Sequence, residues 1–337
     1  MKVISFADEL IAAPIGAVLL GVLEMEQHPH IPWQQPVVPD DARIAQAAGH
    51  VSAMSFGDLL EAAFNASSQV GPWNPDGPGQ AFEAYLHVEQ RRSIAEAVDE
   101  VFGEQLRAPI DLDAQEWWVG NPSCIKKRIT PAFCDFAKTY GSGEFPWEAV
   151  RTVTAPPRQV HQSFVWEQEI PSGVGRWSLP IDAAALEQLP VYTIHSPGDW
   201  AKLVKQHPLE ATPGQGSWGL PNNQSALSPR HRLYSLANQH ASVGSHSHHL
   251  VPDWTSVSTE YCGVHLSWGG WITSEGYAHL DEDNTATMVR YWFSDRTFWL
   301  SDVFGDPIRL PAPDIRQDDV WENAEDEREV LRRILGR

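Results

Sequence analysis

The stretch VYTIHSPGDW, residues 191–200, changes character halfway along and indicates the architecture of the second half of the chain. Its first four residues are β-branched or aromatic, which predicts a short strand. Ser196-Pro197 then reads as a helix cap followed by proline at the first helical position, and Pro208 is expected to close that helix. His195 is therefore predicted to lie at a strand-to-helix corner, beside a helix N-terminus that favours anions.

The residues that follow continue this mixture of helix and strand. Asp253 predicts the start of a short helix through Val257 and Tyr261. β-branched and aromatic content predicts four further strands, Gly263–Trp268, Trp271–Thr273, Thr287–Phe293 and Thr297–Phe304. The polar turn Ser294-Asp295-Arg296 is expected to join the last two. The simplest arrangement is an antiparallel sheet with one or two helices packed on it.

The first part of the chain reads mainly as helix. Ser55 followed by Asp58 predicts a capped helix, and apolar residues from Phe82 to Phe102 recur at helical spacing. Val150–Thr154 has strand character. We therefore expect a mainly helical region 1–110, a mixed connecting region 111–190, an α+β region 191–307 with the candidate site, and a Pro-rich connector with a C-terminal helix over 308–337. The fold class is α+β, a helical N-terminal region followed by a mixed, mainly antiparallel sheet with a few packed helices.

Charge and composition exclude several classes of protein. A net charge of −20 argues against a nucleic-acid-binding surface, because phosphate recognition needs clustered Lys and Arg. The three cysteines have no regular spacing, so neither a disulfide framework nor a thiolate zinc site is expected. The apolar run Ile11–Leu23 is too short to span a bilayer and reads as a buried segment. These features predict a soluble, cytoplasmic protein with neither a nucleic-acid nor a membrane partner.

Tryptophan is the compositional outlier, with 15 residues in the chain. A cluster of indole rings can stack on a sugar, a base or a cation. Trp200, Trp268 and Trp271 are the candidate ligand-binding tryptophans, and the alternative is that they pack the core. Trp268 and Trp271 would point to opposite faces of a regular strand, unless the two glycines between them bend the chain.

Three residues are candidates for catalysis, namely Tyr192, His195 and His265. His265 lies within a predicted strand and faces the side opposite to Val264 and Leu266, so it is expected to be exposed or to line a pocket if those two are buried. For His195 and His265 the alternative is a structural histidine with satisfied hydrogen bonds. The histidine run at 246–249 lies in a long irregular segment, residues 211–249, and rigid metal ligands are not expected there. We therefore assign no metal ligands.

Arg296, with Asp295 and Asp302, forms a further candidate ligand-binding group at the end of the last predicted hairpin. The alternative is an Arg–carboxylate pair that holds the turn. The glycine-rich motif of dinucleotide folds, the phosphate-binding loop with its lysine and the nucleophile elbow are all absent from the sequence. The cofactor, if the protein uses one, is therefore unknown at this point.

Several motifs resemble those of a group of uncharacterised actinobacterial proteins. They are HSPGDW at 195–200, VPDW at 251–254, GVHLSW at 263–268, YW at 291–292 and WLSDVF at 299–304. The resemblance spans about Phe145 to Pro307. The group has no assigned activity, so the resemblance implies a bacterial, cytoplasmic setting and transfers no catalytic residue.

Two functions fit these observations. The first is a binding or interaction protein that uses its Trp- and His-rich α+β region to hold a protein partner or a small molecule. The second is a transferase or glycohydrolase acting on a nucleotide-type substrate, similar to ADP-ribosyltransferases, with Tyr192, His195 and His265 in its site. The second predicts that the two histidines share a concave pocket. The first predicts an exposed apolar patch containing several tryptophans.

Overall fold

The fold is taken from a computed structural model of the chain. The structure describes residues 5–26, 39–70, 84, 87–117, 149–155, 177–187, 189–210, 248–281, 285–289, 292 and 294–311. The predicted C-terminal helix and residues 211–247 of the predicted irregular segment lie outside these ranges. Residues 248 and 249, which we also expected to be irregular, begin a strand instead.

The helices alternate with strands only in the second half of the chain. They are α1 (Phe6–Ala12), α2 (Pro14–Glu26), α3 (Asp41–Val51), α4 (Phe56–Val70), α5 (Arg92–Leu106), α6 (Ala183–Leu186), α7 (Pro197–Gln206), α8 (Trp254–Val257) and α9 (Trp268–Ser274), and a 3-10 helix spans Val88–Arg91. The predicted cap of α4 is present. The Ser55 hydroxyl accepts from the Asp58 N–H at 3.2 Å, and the Asp58 carboxylate accepts from the Ser55 N–H at 2.9 Å.

The apolar N-terminal run is buried, as predicted, and forms parts of α1 and α2. Leu10, Leu19 and Leu20 are fully enclosed by the other helices. Among the described residues no single helix is long and apolar enough to cross a membrane, and α1 and α2 pass that test only jointly, as a pair bent by 97°. The bend falls just before Pro14, which has no N–H to continue the first helix.

The strands are β1 (Gln115–Trp117), β2 (Val150–Thr154), β3 (Trp177–Ser178), β4 (Val191–Ile194), β5 (Pro208–Glu210), β6 (His248–Pro252), β7 (Gly263–Leu266), β8 (Ala278–Leu280), β9 (Thr285–Met288), β10 (Arg296–Trp299) and β11 (Ile308–Arg309). Seven of them form one sheet in the order β11-β3-β1-β2-β10-β7-β4. All its neighbours are antiparallel except β7 and β4, which run parallel. A second sheet has the order β5-β6-β9-β8.

Two predictions about the strands are wrong. Trp271–Thr273, predicted as a strand, lies in α9, because Ser267 caps a helix there by accepting from the Gly270 N–H at 3.1 Å. The last two predicted strands were expected to form a hairpin, but β9 and β10 belong to different sheets. Arg296, assigned to the connecting turn, begins β10.

One large core joins the helical region to the main sheet. It includes Leu10, Leu60 and Phe102 from the helices together with Val264 and Phe298 from the sheet. The opposite face of the sheet carries a smaller cluster around Trp117, Val150 and Trp299. The predicted α+β class, with its helical N-terminal region and mainly antiparallel sheet, is confirmed. The predicted region boundaries stay a prediction.

Candidate functional site

The parallel strands β4 and β7 end at the same edge of the main sheet, and each leads directly into a helix. His195 and Ser196 connect β4 to α7, and Ser267 connects β7 to α9. Because the two strands are hydrogen-bonded neighbours, their corners meet: the Nδ1 atom of His195 lies 3.1 Å from the Ser267 hydroxyl. Crevices outside the carboxyl ends of parallel strands are where open α/β sheets bind ligands.

The predicted corner at His195 is confirmed in its local structure. Ser196 caps α7 by accepting from the Asp199 N–H at 3.2 Å, and Pro197 occupies the first turn. The Asp199 carboxylate in turn accepts from the His195 N–H at 3.0 Å and from the Ser196 hydroxyl at 2.9 Å. Asp199 therefore occupies the helix N-terminus that we expected to favour an external anion.

Two further charged residues reach this corner from the helical region. The charges of Asp199 and Arg107 act on both His195 and Glu9. α1 and the end of α5 both meet α9, since a Cβ atom on Gly269 would lie 3.1 Å from the Phe6 ring and 3.0 Å from the Leu106 carbonyl oxygen. Arg107 also lies over the Phe6 ring at 5.1 Å and donates to Asp99 at 2.9 Å. We call the set Glu9, Arg107, His195, Asp199 and Ser267 the corner site.

Burial displaces the pKa values of the two titratable groups in opposite directions. Partial burial raises the pKa of Glu9 to about 7, with Asp199, Asp99 and Asp8 adding to the increase and Arg107 opposing it. Burial also lowers the pKa of His195, although the Asp199 carboxylate works in the opposite direction. Near neutral pH the corner site therefore holds a neutral imidazole and a carboxyl group close to its titration midpoint.

His265 lies behind the corner, and its predicted exposure is wrong. Its side chain is 1% exposed, in the middle of a strand whose residues are all buried. The alternation of side chains along β7 does place His265 on the face opposite to Val264 and Leu266. Both faces of the sheet are buried at this strand, however. Its Nδ1 atom lies 3.0 Å from the Thr297 hydroxyl on β10. The two histidines therefore share an electrostatic neighbourhood, with His195 half-buried at the edge and His265 sealed inside.

A carboxylate accompanies His265 in the interior. The Asp295 carboxylate lies 3.7 Å from the His265 Nε2 atom and accepts from the Thr154 N–H at 3.1 Å. Burial lowers the pKa of His265 to about 3 and raises that of Asp295 to about 7, the latter partly offset by the bond from Thr154. Burial thus favours the uncharged form of both groups.

The buried Asp295 makes stability depend on pH in a defined direction. Its pKa in the unfolded chain is close to the ordinary 3.8, and folding raises it to about 7. The folded state therefore binds the Asp295 proton more tightly, so the contribution of Asp295 to stability is lost as pH rises from about 4 to about 7, by up to about 1.4 kcal/mol per pH unit. His265, whose pKa is lowered, contributes in the opposite direction below about pH 6.5. We expect Asp295→Asn, which keeps an acceptor for the Thr154 N–H, to remove this loss. Urea unfolding of both proteins from pH 4 to pH 8 measures the difference, and parallel curves would contradict the prediction.

Tyr192, the third candidate for catalysis, is held by the same corner. Its hydroxyl donates to the Asp199 carbonyl at 2.8 Å, and its ring meets the Tyr261 ring edge-on with centroids 5.2 Å apart. Burial, with the Asp199 charge, raises the pKa of the phenol. Tyr192 therefore stays protonated and positions the first turn of α7.

The three candidate ligand-binding tryptophans lie in the core. Trp200 and Trp271 are fully enclosed and Trp268 nearly so. The Trp200 indole N–H donates to the Thr287 hydroxyl at 2.8 Å, which ties α7 to the second sheet. Helical spacing brings Trp268 and Trp271 together, with ring centroids 6.0 Å apart. Among the described residues the exposed large apolar side chains are Val101 and Ile308, so these tryptophans form no exposed apolar face.

Arg296 and Asp302 are not brought together. Arg296 begins β10 and is 1% exposed, whereas Asp302 follows the other end of that strand and is exposed. The Asp302 carboxylate accepts from the Phe304 N–H at 3.5 Å, a local turn contact. The charge of Arg296 lowers the pKa of the adjacent Asp295, against the larger effect of burial. The alternative of an Arg–carboxylate pair that holds the turn stays a prediction.

Of the residues in the corner site, the sequence analysis singled out only His195. It also singled out Tyr192, which contacts the corner site through the Asp199 carbonyl. Ser267 had a local signal that we missed, since a serine three residues before Gly270 has the spacing of a helix cap. Glu9 and Arg107 had none, because their helices are brought towards the corner by tertiary packing of α1 and α5 on α9. Comparison of the chain with models of protein families, with curated proteins and with solved structures finds no match.

Proposed function

We propose that this protein binds a small, uncharged polar ligand at the corner site. The observation that carries the proposal is the pair His195 and Glu9, two half-buried titratable groups with displaced pKa values that share the charged neighbours Asp199 and Arg107. Displaced pKa values in one partly exposed place are typical of functional sites. The position outside the ends of two parallel strands supports the same proposal.

The charges of the corner site favour a ligand rich in hydroxyl or amide groups. The Asp199 carboxylate lies at the start of α7, where it accepts from the His195 N–H and the Ser196 hydroxyl, so a phosphate or carboxylate there would face a negative charge. The neutral imidazole of His195 and the Glu9 carboxyl both exchange hydrogen bonds with hydroxyl and amide groups. A sugar or a nucleoside therefore fits better than a nucleotide.

We propose a cytoplasmic setting for this protein.

A thermal-shift screen tests this proposal with monosaccharides, nucleosides and the corresponding nucleotides. A ligand that binds only the folded state at a concentration 100 times its Kd adds about 2.7 kcal/mol of stability. We expect an uncharged compound to raise the Tm of the native chain, and Glu9→Gln and His195→Ala to abolish that shift. Glu96→Gln, an exposed glutamate on α5, should leave the shift intact. Equal shifts in all four proteins, or none in the native chain, would count against the corner site.

A second candidate function uses the same residues for catalysis, as in a transferase or glycohydrolase. The observation in its favour is the 3.1 Å distance between His195 Nδ1 and the Ser267 hydroxyl oxygen. A general base and the nucleophile that it activates lie at about this distance from each other. Ser267 is buried, however, and its hydroxyl already caps α9. Its backbone, at φ −70° and ψ 166°, is ordinary extended chain and lacks the strain of a nucleophile elbow. Binding without chemistry therefore has the better support.

Nicotinamide release from NAD⁺ separates the two candidates. The binding proposal predicts no release above the rate of the blank. Release that disappears in His195→Ala and persists in Glu96→Gln would instead support the glycohydrolase, with His195 as its acid or base and His265 behind it as a positioning residue.

A further inference from the structure

Arg107, a member of the corner site, presents a guanidinium that three contacts hold in place. Its Nε–H donates to the Gly103 carbonyl at 3.1 Å, and its Nη2 atom donates to the Asp99 carboxylate at 2.9 Å. The guanidinium also lies over the Phe6 ring, 5.1 Å from the ring centroid. Because these contacts already restrict the side chain, a ligand that binds the guanidinium has little side-chain freedom left to remove.

The sequence makes room for this arrangement at Gly103, in the last turn of α5. Glycine disfavours helix, so its place within α5 calls for a reason in the packing. A Cβ atom here would lie 2.5 Å from the Asp99 Oδ1 atom and 2.9 Å from the Arg107 Nη2 atom. Any other residue at this position would therefore displace the ion pair between Asp99 and Arg107.

Packing on α9 brings this guanidinium towards the corner site. α9 begins directly after Ser267, and Gly269 in its first turn is in close contact with the Phe6 ring and the Leu106 carbonyl. Arg107 follows Leu106 in the chain and lies over the same ring. Its charge acts on both titratable groups of the corner site, and its side chain is 40% exposed. A ligand bound at the corner site is therefore within reach of the guanidinium.

The bonds to Gly103 and Asp99 use only part of the guanidinium. They take the Nε–H and one hydrogen of Nη2, whereas an arginine has five N–H donors in a planar fork. Among the described residues none accepts from Nη1. One N–H of Nη1 and the second N–H of Nη2 are left as a parallel pair, which can bind two neighbouring acceptor atoms at once.

We propose that Arg107 determines the specificity of the corner site by binding O6 and N7 of a 6-oxopurine base, so that the ligand is a nucleoside such as inosine. This inference rests on the function proposed above. The two atoms are adjacent acceptors that match the arginine fork, whereas adenosine places an amino donor beside N7. A phosphate or carboxylate also matches the fork, but the charges of Asp8, Asp99 and Asp199 surround this site and disfavour an anion.

Calorimetric titration of the full-length chain with inosine and with adenosine tests this assignment. We expect inosine to bind at least about tenfold more tightly than adenosine. The preference should disappear in Arg107→Lys, which keeps the charge and loses the planar fork. Gly103→Ala keeps every charge and displaces only the ends of two flexible side chains, so it should fold and also lose the preference.

A matched control is Arg309→Lys. Arg309 is another exposed arginine over an aromatic ring, that of Trp177, and lies at the edge of the main sheet opposite to β4. This variant should keep the preference for inosine. A general loss of stability would weaken both nucleosides alike and leave their ratio unchanged, so the ratio reports the guanidinium itself.

The outcomes separate this inference from the function on which it rests. Equal affinities for the two nucleosides, or a preference that Arg107→Lys retains, overturn the role of Arg107. Loss of the same binding in Glu9→Gln would then still support the corner site. Binding of monosaccharides without nucleosides has the same meaning. If the native chain binds neither class of compound, both proposals are wrong.

Discussion

Substitution of Gly270 by alanine is expected to destabilise the protein by about 3 kcal/mol or more. A Cβ atom at this position would lie 2.2 Å from the Ile194 carbonyl oxygen and 3.0 Å from the Leu266 side chain. The nearer neighbour is backbone at the end of β4, so relief requires either α9 or that strand to move. Movement of either also separates His195 from Ser267, and we therefore expect loss of ligand binding at the corner site together with the loss of stability.

Gly49 provides the matched control for this variant. It lies on the exposed side of α3, and a Cβ atom there meets no atom within 4 Å. Alanine in such a helical position restricts the unfolded chain and stabilises by about 0.5–1 kcal/mol. Urea unfolding should thus move the two Gly→Ala variants in opposite directions. If Gly270→Ala were as stable as the native chain, the close approach of α9 to β4 would be wrong.

The elements that the sequence predicted are those with a local signal. Ser196, Ser55 and Asp253 cap the helices expected of them, because a capping side chain binds an N–H only two or three residues away. β4 and β2 were likewise predicted from their own β-branched content. Such signals involve neighbours in sequence and need no knowledge of the tertiary fold.

The elements that the sequence mispredicted depend on distant contacts. α9 contains Gly269 and Gly270, which disfavour helix locally, yet their missing side chains let the helix approach the carbonyls of Leu106 and Ile194. β10 looks like a hairpin partner of β9, but it pairs with β2 and β7 far along the chain. Glu9 has no sequence motif around it, and its pKa is displaced mainly by burial and by the charges of Asp199, Arg107 and Asp99, which are distant in sequence.

Replacing Glu24 by glutamine is expected to destabilise the protein by about 3–5 kcal/mol. Glu24 is fully buried on α2, and its carboxylate binds Arg91 at 2.7 Å and Arg43 at 3.2 Å. The same carboxylate accepts from the Asp40 N–H at 3.3 Å, which fixes the start of α3. Glutamine keeps the shape and an acceptor oxygen, so the loss measures the charge: the buried Arg91 guanidinium loses the negative charge of Glu24, which lies 2.7 Å from it.

Two comparisons separate this charge effect from other causes. Glu89→Gln breaks an exposed ion pair with Arg92, and an exposed pair contributes at most about 1 kcal/mol. The double variant Glu24→Leu with Arg91→Met removes both buried charges and should recover most of the stability lost in Glu24→Gln, because two apolar side chains of similar size need no counter-ion. Denaturant unfolding of the four proteins measures these differences. If the double variant were less stable than Glu24→Gln, the ion pair would itself stabilise the helical region, and the uncompensated Arg91 would not explain the loss.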